Sequence, residues 1–157
     1  MARGDRLPHE AVVLRRFDPT DPIRCTLDEA GRPARLRSSA FKFDPDLEES
    51  PTRKECSVYQ EEKLHAAGLG ASDCIESERP GWHVALASVA EIKAFTRSNV
   101  PDPNPFEVVE DPFPNGTSFA HPRDAAHANI IHDHPLRGAD KWYRDLALAF
   151  KVEGAPN

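Results

Sequence analysis

The sequence predicts an α+β single domain: a mostly antiparallel sheet, two or three short helices and long Pro-rich loops. Three observations carry this reading. Short runs of alternating or apolar residues recur along the chain between Pro, Gly and Asp/Asn breakers, as strands do. Helix-start signatures are few, and each opens only a short apolar-periodic stretch. The chain has 157 residues, one domain's worth, and 15 of them are Pro, so the connections are stiff. Strands outnumber helices too strongly for a doubly wound fold.

Taken in order, Ala11 to Phe17 is apolar and then basic between Pro8 and Pro19, and reads as a strand. Ile23–Leu27 and Ala34–Ser38 flank Asp28-Glu29-Ala30-Gly31 and predict a hairpin with Gly in a left-handed position. Phe41 and Phe43 lie two apart, so a strand there puts both rings on one face. Residues 44–54 hold two Pro, four acids and little apolar content, which predicts an exposed loop. Ser57 with Gln60 matches a capping box and Gly68 a helix stop, so residues 58–67 are expected to be helical. Trp82–Ala87 reads as a strand that runs into a helix over Val89–Phe95, opened by a Ser88/Glu91 capping box. Residues 99–105 carry three Pro and predict a second exposed loop. Phe106–Val109 and Ala126–Ile131 are strand candidates, and Asp140 is placed to cap a last helix reaching Phe150. Trp82, Val84, Leu86, Ile92, Phe95, Ile130, Leu146 and Phe150 are the expected core.

The net charge of −6 argues against broad nonspecific nucleic-acid binding, which rewards positive surfaces. Residues 1–42 nevertheless carry nine Lys/Arg against six Asp/Glu, so a local basic face is open to an anionic ligand or an acidic partner. Three Cys, at 25, 56 and 74, contain no C-x-x-C spacing and read as reduced thiols. No apolar run suits a membrane helix and no apolar segment follows the basic N-terminal residues, so a soluble cytoplasmic protein is expected, without membrane association.

Two clusters are candidates for function. Arg35 and Arg37 would project from one strand face, followed by the hydroxyls of Ser38 and Ser39, and suit phosphate or carboxylate. The alternative is an Arg-rich strand edge that prevents aggregation. His121, His127, His132 and His134 fall close together, with Asp124 and Asp133 among them. Imidazoles serve proton transfer near neutrality, so His127, His132 and His134 are the candidate catalytic residues. On a strand, His132 and His134 share one face and His127 takes the other; the competing reading is a partly buried His127 and two strand-end imidazoles. No metal or cofactor is expected, because H-E-x-x-H, glycine-rich phosphate loops and G-x-S-x-G are all missing. The stretch Arg35-Leu-Arg-Ser-Ser-Ala-Phe-Lys-Phe43, followed by Cys56-Ser-Val-Tyr59, is similar to small bacterial proteins of unassigned function, and that resemblance implies no activity. The sequence therefore points to a ligand- or partner-binding module, with a small hydrolase or ribonuclease built on residues 121–134 as the alternative.

Overall fold

A computed structural model of the chain describes residues 4–21, 23–46, 50–75, 79–94, 104–112, 121–133 and 135–153. The expected α+β architecture is present: nine strands and three short helices among these residues, with every strand pairing antiparallel. No helix among them is long and apolar enough to cross a membrane.

The strands are β1 (Val12–Phe17), β2 (Cys25–Leu27), β3 (Pro33–Leu36), β4 (Asp44–Asp46), β5 (Ser50–Gln60), β6 (His83–Ser88), β7 (Glu107–Glu110), β8 (His127–Asp133) and β9 (Lys151–Val152). The helices are α1 (Glu61–Ala66), α2 (Val89–Ala94) and α3 (Ala139–Ala149). Seven strands form one sheet in the order β7-β8-β5-β1-β6-β9, with β4 also paired to β5. β2 and β3 make a separate hairpin. Its turn is the expected one: Gly31 has φ +80°, a conformation that costs a side chain-bearing residue steric strain, and Asp28 Oδ1 accepts from the Ala30 and Arg32 amides.

The sheet is buried on both faces. Residues alternate sides along a strand, so neighbouring Val13 and Leu14 of β1 enter different cores. On the first face Val13, Cys56, Val58, Ala85, Ala128 and Ile130 meet Trp142, Leu146 and Phe150 from the α3 end of the chain. On the second, Leu14, Tyr59 and Val84 meet Leu64 of α1, Cys74 of a 3-10 turn (Ala71–Cys74) and Ala126 of another (Pro122–Ala126). Of the expected core, Val84, Ile92, Ile130, Leu146 and Phe150 are buried, whereas Trp82 and Leu86 are only partly so. Phe95 lies outside the described residues.

Several local expectations are corrected. Residues 44–54 are largely strand, in β4 and the start of β5, because β5 finds ladder partners on both edges that outweigh its polar composition. Helix 58–67 shortens to 61–66: Val58 and Tyr59 belong to β5, Gln60 takes the N-cap position, and Ser57 caps nothing. Phe41–Phe43 is not a strand; a 3-10 turn (Ser38–Ala40) precedes it, and Phe41 still packs on Phe150 while Phe43 stacks on Tyr143. Gly138, not Asp140, is the N-cap of α3. The Ser88/Glu91 box is as expected, with Ser88 N donating to Glu91 Oε1 and Glu91 N to Ser88 Oγ, both at 3.0 Å. The Pro-rich segment is described only at Asn104 and Pro105.

Candidate functional site

β1 and β4 share one edge of β5. β1 pairs only through Val13 with Gln60 and Leu14 with Tyr59; β4 joins lower down, with Asp44 opposite Glu55. Between these contacts the strands part, and Cys56 to Val58 lack a ladder partner on that side. Arg15 fills the gap: its Nη1 donates to the Ser57 carbonyl at 2.8 Å and its Nε to the Ala40 carbonyl at 3.0 Å. A guanidinium thus replaces the missing strand amides while retaining further N–H donors.

At the end of β1 is a cavity of about 310 Å³. Arg15, Arg16, Arg24, Lys42 and Arg79 line it with Asp18 and Asp21, and Phe17 and Trp82 supply aromatic surface. Arg79 lies over the Trp82 ring at 4.4 Å, a cation–π stack that fixes a flexible side chain. Arg16 lies over Tyr59 at 5.0 Å. Both carboxylates are engaged in building the adjoining turn. Asp18 Oδ1 accepts from the Thr20 hydroxyl and amide, bonds that hold its carboxyl below the usual range. Asp21 Oδ1 accepts from the Ile23 amide, and its Oδ2 lies 3.5 Å from Arg24 Nε. Five cations against two committed acids make a positive pocket in a chain of net charge −6.

The chain matches no known protein family, no curated protein and no solved structure.

Arg37, Ser38 and Ser39 line a different, wider groove of about 700 Å³ together with Ile23, Arg144 and Leu148. Ser39 is partly spent there: its hydroxyl donates to the Ile23 carbonyl, and its own carbonyl accepts from Arg24. Arg35 is exposed on β3, opposite Thr26, and does not line that groove.

The histidines separate. His121 caps the Pro122–Ala126 turn, accepting from the Arg123 amide at Nδ1. His132 is on the first face, only 3% exposed, with Nδ1 2.7 Å from the Asp133 carbonyl and Nε2 2.7 Å from Tyr143 Oη, among the rings of Phe43, Phe106 and Tyr143. His127 is on the second face, also buried, as strand alternation requires. His134 lies outside the described residues. No group of three metal-binding side chains occurs among the described residues. His127 instead meets Ser57 and Asp111, neither of which the sequence singles out for chemistry, because the β5–β8 register brings Ser57 to it and the β7–β8 pairing brings Asp111, over long separations.

All three cysteines are free and buried. Cys56 lies inside β5, where burial raises its pKa. Burial likewise raises Cys25 and takes Cys74 to about 11.

Proposed function

We propose that the protein is a binding module for a small multivalent oxyanion, seated in the cavity at the end of β1. The observation that carries this is the excess of cations in the cavity, with both carboxylates already used by the turn. Arginine forks recognise phosphate and carboxylate oxygens through paired donors, and the Arg79–Trp82 stack offers a flat wall for a ring attached to the anion. A cavity of this size admits a small molecule rather than a folded partner. Burial of all three free cysteines supports a reducing compartment, and we assign the protein to the cytoplasm on that ground.

Calorimetric titration with pyrophosphate, AMP and citrate tests the binding and separates phosphate from carboxylate chemistry. Binding should weaken as salt rises, and Arg79→Gln with Lys42→Gln should weaken it about tenfold, roughly 1.4 kcal/mol. An Arg35→Gln/Arg37→Gln variant should bind as the wild type does. No heat with any of the three anions, or loss of affinity only in the Arg35/Arg37 variant, would overturn the assignment to this cavity.

A further inference from the structure

On the second face of the sheet, Tyr59 is opposite His127 and Ser57 opposite Asn129 in the β5–β8 ladder. Ser57 and His127 are therefore diagonal neighbours, within reach of one side chain to the other. His127 Nδ1 is 2.6 Å from the Asp111 carbonyl oxygen, an atom that can only accept. The ring proton must then sit on Nδ1. Nε2 presents its lone pair, 3.0 Å from Ser57 Oγ, and the hydroxyl donates to it. Behind the ring, Asp111 Oδ2 lies 3.7 Å from Nδ1 and is itself held by Asn129 Nδ2 at 2.6 Å. Tyr59 packs edge-on to the imidazole, with centroids 5.4 Å apart.

Serine, imidazole and carboxylate thus stand in the order that activates an alcohol: hydroxyl to Nε2, Nδ1–H to an acceptor, and a carboxylate behind. From this geometry we infer that Ser57 is a nucleophile toward esters, with His127 as its general base and Asp111 and Asn129 as positioning residues. In the step, Ser57 Oγ bonds to the ester carbonyl carbon while its proton passes to His127 Nε2. The carbon–alkoxy bond then breaks, and the leaving alkoxide takes that proton from His127. Asp111, Asp124 of the adjoining turn and Arg16 of β1 are the charged groups that act on the ring; burial, the largest influence, pushes its pKa down and keeps it neutral and able to accept at pH 7.

The test is labelling with phenylmethanesulfonyl fluoride, read by intact mass and peptide mapping. Here Ser57 Oγ bonds to sulfur, fluoride leaves, and His127 takes the proton and passes it to solvent. One adduct is expected, on Ser57, with a rate in the wild type that climbs with pH and levels off by pH 7 as His127 becomes fully neutral. His127→Gln should slow it about 100-fold. No adduct, an adduct elsewhere, or a His127→Gln rate equal to the wild type would overturn the inference. So would a wild-type rate still rising tenfold per pH unit at pH 9, the behaviour of an unassisted alcohol; that readout needs no variant to fold.

Discussion

Glu110 is fully buried at the end of β7, and its Oε2 accepts from Gln60 Nε2 at 2.7 Å and Lys63 Nζ at 2.8 Å. Its other oxygen has no hydrogen-bond partner among the described residues. A carboxylate in that position depends on its cation, so Lys63→Met should destabilise the protein by about 2–4 kcal/mol, toward the lower end because Lys63 is one-third exposed. Adding Glu110→Gln should recover much of the loss, since a neutral amide needs no counter-charge; urea denaturation of both single variants and the double variant measures the coupling. Strictly additive effects would mean the pair is not coupled. In the sequence Glu110 follows the Phe106–Val109 strand candidate with no role marked for it. Only the pairing of β7 with β8, and the position of α1 beside them, encloses it. Ser57 was obscured in a different way: its Gln60 spacing imitates a capping box, and the partner that gives it meaning is 70 residues away.

At the scale of elements, legibility followed the range of the interactions. The β2–β3 turn and the opening of α2 rest on side chain–backbone bonds within a few residues, and both were readable. β5 was not, because Pro51, Arg53, Lys54 and Glu55 give its first half the composition of a loop, while ladders on two edges hold it extended. The last helix shows both cases: its apolar stripe was visible, but Gly138 replaced the expected Asp140 cap. That stripe ends on Phe150, whose ring lies 4.9 Å from Phe41 under the sheet. Phe150→Ala should cost about 3–5 kcal/mol through the cavity it leaves, measured by chemical denaturation. A loss below about 1 kcal/mol would show that α3 does not depend on this anchor.

For the whole molecule, the decisive feature is that two cores lie on opposite faces of one sheet and share β1. Neither can open without exposing the back of the strands that hold the other. Cys25 and Cys56 belong to the first core and Cys74 to the second, so thiol labelling samples both. The native thiols should react slowly with iodoacetamide, because burial raises all three and Cys74 to about 11. Across a urea titration all three should become reactive over the same range, coincident with the loss of far-ultraviolet circular dichroism. Cys74 labelling ahead of the other two would mean that the second core opens by itself.

The class of fold, the short helices, the hairpin turn and five of the core side chains, Val84, Ile92, Ile130, Leu146 and Phe150, were legible in the chain, since these follow from residue period, breaker placement and contacts a few positions apart. The sequence also determined that the N-terminal third is locally basic. Where those charges and hydroxyls meet depends on the packed strands. The cationic cavity forms where the end of β1 and the turn after it meet Lys42, Arg79 and Trp82, and the Ser57–His127–Asp111 arrangement exists because β5, β7 and β8 align in one register. Strand pairing joins residues at separations on which local periodicity carries no information, and a shift of one residue would turn each of these side chains to the other face of the sheet.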